Sequence, residues 1–166
     1  MQKIFILFIM LVMVSACKRW QHEYPEDGQR SKITPLDRVV GKTWVLTQLS
    51  LNGQDYMDTV RERFGSFEMK LFYTKYNPSD ETDKARYGGV YSPKQPDKTI
   101  VWQLYDNDFK FSAGALFGEL DDFILPGYYN QHKHEGTILK LTDKDFKFRI
   151  NYLERDSIVI TNFTAN

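Results

Sequence analysis

One cysteine in 166 residues, Cys17, leaves no partner for an intrachain disulfide, so an apolar core must hold this chain together. Histidine is nearly as scarce. His132 and His134 would share a face of an extended strand with Glu135 beside them, but the only further histidine, His22, lies far away in sequence. They are weak metal candidates, and the pattern falls short of a zinc ligand set. There is no Gly-x-Ser-x-Gly elbow, no glycine-rich phosphate loop and no histidine beside a serine, so the sequence predicts neither a catalytic constellation nor a cofactor. Asp121 and Asp122 are adjacent and would face opposite ways in a strand; Asp80, Glu81 and Asp83 lack the ligand spacing and turn glycine of a calcium loop. An excess of one charge is missing too, with 22 basic side chains against 22 acidic, which gives no reason to expect a nucleic-acid partner. The longest apolar run, Ile4 to Val14, has 11 residues, well short of the roughly 20 that span a bilayer.

What stands at the amino terminus is a secretory pattern: Met1, Gln2 and Lys3, the apolar run, then the small residues Ser15 and Ala16. Val14-Ser15-Ala16-Cys17 resembles the lipobox of bacterial lipoproteins. That resemblance implies cleavage before Cys17, a diacylglycerol on its sulfur and an acyl chain such as palmitate on the new amino terminus. Residues 1–16 would be the signal peptide and residues 17–34 a flexible tether, rich in charge and poor in groups to bury. Within the tether, Trp20 and Tyr24 would either sit at the lipid interface or be solvated. Lys18 after the lipidated cysteine fits outer-membrane sorting; Glu23, Glu26 and Asp27 come too late for the usual surface-export signal, which leaves the periplasmic or surface face open.

Residues 35–166 read as one domain, and 150 residues after cleavage are enough for a core. Pro35 to Val40 suits one helical turn ending at Gly41. Thr43 to Leu51 then alternates as a strand, and Asn52-Gly53 is a strong hairpin signal. Asp58 to Phe64 could form a short helix. Phe67 to Thr74, Ala85 to Tyr91, Thr99 to Tyr105, Phe109 to Ser112 and Glu119 to Leu125 are further strand candidates. The clearest alternation sets Phe146, Phe148, Ile150 and Tyr152 against Asp145, Lys147, Arg149 and Asn151, flanked by Thr137 to Leu141 and Ser157 to Phe163 in a three-strand meander. Eight or nine one-sided strands with almost no helix predict an all-β antiparallel barrel or sandwich.

Gly41-Lys-Thr-Trp44 after the helical turn resembles the first-strand Gly and Trp of lipocalins, although that family usually has one residue between them and this chain has two. Trp102 to Phe111 and the stretch from Gly136 to Phe163 are similar to the central hairpin and closing strands of the lipocalin-like lipoproteins common in Bacteroidetes. The resemblance implies a lipocalin-like barrel over residues 35–166, eight- or nine-stranded. A barrel of that size is either filled by side chains or holds one small ligand, so Trp44 and Trp102 are expected as core or ligand lining. Asp58-Thr59-Val60 and Asp156-Ser157-Ile158 resemble the O-glycosylation acceptor of exported Bacteroidetes proteins, at Thr59 and Ser157.

These readings lead to a non-catalytic outer-membrane lipoprotein, held to the membrane by its lipid and acting as an accessory or interaction subunit of an outer-membrane protein complex. The alternative is a carrier or sensor of a small apolar ligand. Tyr87, Tyr91, Phe117, Phe123, Tyr128 and Tyr129 lie in segments expected to be irregular, where aromatic rings serve recognition; Phe123, Tyr128 and Tyr129 are the candidate recognition surface.

Overall fold

The computed structural model describes residues 24–27, 33–75, 84–115, 124–127, 136–152 and 156–166. The expected signal peptide, Cys17, Trp20, Phe117, Asp121, Asp122, Phe123, Tyr128, Tyr129, His132 and His134 lie outside them, as does the acidic turn at residues 80–83.

Helix α1 (Pro35–Val39) begins with Pro35 in its first turn, and the Thr34 hydroxyl accepts from the backbone N–H of Asp37. Strand β1 (Thr43–Leu51) turns through Asn52 and Gly53, both at positive φ, into the two-residue β2 (Gln54–Asp55). This is the primed turn that the Asn-Gly pair specifies, since asparagine tolerates positive φ and glycine adopts it without cost. Helix α2 (Met57–Phe64) follows, starting one residue earlier than expected. Then come β3 (Glu68–Lys75), β4 (Lys84–Ser92), β5 (Gln95–Tyr105), β6 (Lys110–Ala115), β7 (Gly136–Leu141), β8 (Asp145–Tyr152) and β9 (Ser157–Ala165).

Each of these strands pairs antiparallel with the next, and β1 pairs with both β3 and β9, so eight strands close into a barrel with β2 appended to β1. The all-β expectation holds, and a closed barrel with a short helix near the amino terminus is consistent with a calycin-like fold.

Two strands depart from strict alternation. In β1, Trp44 and Leu46 face the core, and so does Leu49, three positions on; a register shift between Leu46 and Gln48 absorbs the extra residue. In β7, Ile138 and Leu141 both point inward across a shift between Ile138 and Lys140. A β-bulge lets one strand keep its apolar residues inside although their spacing slips by one.

Rings fill the interior. Phe111 and Phe146 lie 5.0 Å apart, Phe146 and Phe148 5.3 Å, Trp44 and Phe146 5.6 Å, and Phe148 and Phe163 6.1 Å. Trp44 and Trp102 are both buried, and each indole N–H is satisfied by backbone, Trp44 at Val39 O and Trp102 at Tyr87 O. Both tryptophans are therefore core residues.

The expected strand at Glu119 to Leu125 is corrected in its described part. Ile124 and Leu125 are not in a strand but buried side chains of the β6–β7 connection. The N–H of Ala113 donates to Pro126 O beside β6, and the hydroxyl of buried Thr161 donates to Ile124 O. Glycine is required at position 136, because a Cβ there would stand 2.9 Å from Pro126 Cγ and 3.0 Å from Phe111 O. Ile124 to Pro126 thus lie beside β6 past Phe111; among the described residues β6 and β7 are in register at Lys110–Thr137 and Phe111–Gly136.

Phe148 is fully buried whereas Lys147 is on the outer face, in an ion pair with Glu26 at 2.8 Å. Replacing Phe148 by Asp should unfold the domain, because an unpaired buried carboxylate costs several kcal/mol, comparable with a domain's whole stability. Lys147→Thr should cost no more than about 1 kcal/mol, the upper range for a surface pair. Thermal melts of the two variants check the assignment of faces.

Candidate functional site

The two ends of the barrel differ. One end gathers α1, the β5–β6 turn, the β7–β8 turn and the end of β9; the other gathers α2 and the β4–β5 turn.

At the first end, residues expected to be flexible tether are part of the fold. Tyr24 is buried, its ring meets Phe109 edge-on at 5.6 Å, and its hydroxyl donates to Asp108 O at 2.7 Å. That carbonyl belongs to a turn in which Asp106, Asn107 and Asp108 all have positive φ, the region that aspartate and asparagine tolerate better than other non-glycine residues. Glu26 N–H donates to Leu139 O at 2.8 Å, and the Glu26 carboxylate accepts from the Lys147 ammonium at the same distance. The tether reading is therefore corrected for Tyr24 to Asp27, and Tyr24 is neither solvated nor free to reach a lipid interface.

The physical reason is Arg38. Its side chain is 1% exposed, so its charge needs a partner that composition alone does not reveal. Asp27 supplies it: one carboxylate oxygen accepts from Arg38 Nη1 at 3.2 Å, the other from the Leu141 N–H at 2.6 Å. Arg38 also donates from Nη1 to Leu141 O at 2.5 Å and from Nε to Ile33 O at 2.9 Å, while Nη2 is buried without a partner among the described residues. Burial pushes the Asp27 carboxyl above its ordinary value of 3.8, outweighing Arg38 and the backbone hydrogen bonds that pull it down. Burial and the nearby Asp108 likewise raise the Tyr24 phenol far above its ordinary value, which keeps it a neutral donor. The sequence held one hint of this arrangement, an arginine set among the apolar residues Leu36, Val39 and Val40.

At the second end, α2 lies over the end of β1 and leaves a largely apolar cavity of about 110 Å³. Leu49, Leu51, Tyr56, Val60, Phe64 and Ile124 line it, with Thr59 and Arg63 adding polar groups. A cavity of about 150 Å³ takes up benzene, and ligand sites usually run from about 300 Å³ upward. This hollow is smaller than either, of a size for one branched side chain or the tip of an acyl chain.

The remaining sequence candidates are scattered. Thr59 is exposed on α2 and Ser157 half-buried at the start of β9. Tyr87 and Tyr91 lie in strand β4, which matches the strand expected over Ala85 to Tyr91 and not the irregular backbone of the recognition reading; both are half-buried, and the Lys70 ammonium lies 5.5 Å from the Tyr91 ring. Among the described residues no three Asp, Glu, His or Cys side chains are grouped to hold a metal ion, and no helix is long and apolar enough to cross a membrane. The chain matches no family model, no curated protein and no solved structure.

Asp27→Ala should destabilise the domain by about 3–5 kcal/mol, because it strands a buried guanidinium. The pH dependence has a definite sign. A carboxyl with a raised folded-state pKa gives the fold more stability when protonated, and loses that advantage as pH rises through the folded value. Relative to Asp27→Asn, the wild type should therefore gain stability as pH falls from neutrality towards 3.8. Chemical denaturation of both proteins across that range checks the sign.

Proposed function

We propose that this chain is a non-catalytic outer-membrane lipoprotein, anchored through acylated Cys17, whose barrel is a rigid scaffold for docking on other proteins of the membrane. The observation that carries this reading is the filled interior. Phe111, Phe146, Phe148, Phe163, Trp44 and Trp102 occupy the space where a hollow barrel would hold its ligand, and Ile124 and Leu125 add to them. A rigid shell whose interior is occupied by these side chains leaves recognition to its ends and loops. The lipobox pattern supplies the membrane address, and the absence of paired catalytic groups in the sequence supports a role without chemistry.

The cavity beneath α2 favours a second reading, in which a small apolar group is carried or sensed. Its size limits that group to a part of a larger molecule, which fits a protein side chain as well as an acyl tip.

Three measurements test these readings. Cys17→Ser should abolish acylation, leave the signal uncleaved and release the protein from membranes that retain the wild type; normal processing of that variant contradicts the anchor. Purification from detergent-solubilised membranes should bring down a stoichiometric protein partner. Adding an apolar fluorescent probe to the soluble domain from Tyr24 onward should give neither saturable binding nor quenching of tryptophan. Saturation at about one probe per chain, unlike diffuse surface adsorption, would put the carrier ahead of the docking subunit.

A further inference from the structure

We propose that docking of Tyr24–Asp27 biases how the barrel stands on the membrane: the α1 end is favoured toward the lipid surface, and the α2 end is presented outward. The inference rests on the lipid anchor at Cys17 proposed above.

Chain length carries the argument. Cys17 and Tyr24 are seven residues apart, and a fully extended chain spans at most about 3.3–3.6 Å per residue, so Tyr24 can stand no more than about 25 Å from the anchored cysteine. Without the docked stretch, the first fixed point would be Pro35, eighteen residues away, and the reach would grow to about 60 Å. A domain on the longer leash could turn either end to the lipid. On the shorter one the inverted pose would use about 20 of the 25 Å and straighten the leash almost fully, at a cost in chain entropy: Tyr24 is pinned to Asp108 O in the β5–β6 turn, and Asp27 is locked between Leu141 N–H and buried Arg38. All three partners belong to the α1 end. Eight residues of strand at about 3.3 Å each, less the tilt of a barrel, put the α2 end about 20 Å farther away.

Charge does not compete with this geometry. Four lysines of the α1 end are paired, Lys42 with Asp143, Lys110 with Asp106, Lys140 with Asp145 and Lys147 with Glu26. Such pairs leave little net field to draw that end onto anionic lipid or push it off, so the tether sets the distance and salt should not change it. The orientation deepens the docking reading, since it assigns the outward surface to α2, the β4–β5 turn and the cavity they border.

Because the lipid occupies Cys17, an introduced cysteine is the chain's only free thiol. Full-length lipoprotein carrying Lys144→Cys in the β7–β8 turn, or Glu62→Cys on α2, is labelled with a donor dye. Each is reconstituted in phosphatidylcholine vesicles that contain a headgroup acceptor dye. Energy transfer should be about twofold or more stronger from position 144 than from 62, as the length of a strand requires, and unchanged at high salt. A fifteen-residue Gly-Ser insert after Arg19 leaves the docked stretch intact and should erase the difference. Equal transfer from both positions in the wild type, or stronger transfer from 62, overturns the proposal. A parallel form with Cys17→Ser and a hexahistidine tag in place of residues 1–16, held on nickel-chelating lipid, separates the two ideas. If the native form fails to bind vesicles while the tagged form keeps the asymmetry, the lipid anchor fails and the orientation stands; loss of the asymmetry in both sinks the orientation.

Discussion

Pairing between the first long strand and the last is the constraint on which the rest of this molecule depends. β1 and β9 run antiparallel from Trp44–Ala165 to Leu51–Val159, and that seam turns a meander of neighbouring strands into a closed ring without the unpaired edges that invite aggregation. Eight strands leave an interior only wide enough for side chains or one small ligand. The aromatic side chains of β1, β5, β6, β8 and β9 decide between the two. Their rings pack at 5–6 Å in mostly edge-on pairs, the arrangement that adds favourable quadrupole contact to the burial of apolar area.

A ring of strands still has two open ends, and here they are closed by different means. At one, α1 brings Arg38 to a buried place, and Asp27 comes back along the chain to neutralise it. A buried ion pair seldom adds much stability over an apolar pair of the same shape, but losing one member is costly. The pair therefore works as a specification: it says where the preceding stretch must lie. At the other end, the connection after β6 folds inward and spends Ile124 and Leu125 on the core.

Much of the barrel was legible in the sequence because period-two alternation reports a half-buried strand directly. Phe146 to Tyr152 has every second residue inside, as the pattern required, and Asn52-Gly53 forms the hairpin its backbone preferences demand. Slipped phases were harder: Leu49 and Leu141 point inward only because bulges shift them, and a bulge leaves no compositional mark. Ile124 and Leu125 looked like strand because a short apolar run is equally apt for any buried backbone. Least visible was the docking of Tyr24 to Asp27. Local composition there is polar, and its burial follows from Arg38, eleven residues on, and from the Leu141 amide beyond a hundred. Of the candidate sites, the two tryptophans could be anticipated as core, whereas the cavity under α2 depends on how that helix lies across β1, which helical periodicity alone does not fix.

The seam between β1 and β9 also orders events in time. Strands β3 to β9 each meet a neighbour already made, so their pairings are local and quick to form. β1 completes its pairing only with the last strand: its partners Phe163 and Ala165 follow it in the chain by about 120 residues. Until then the cylinder is an open ribbon with its phenylalanines uncovered. Closure is thus a single late step, and a chain that lacks Ser157 to Ala165 has no ring to close.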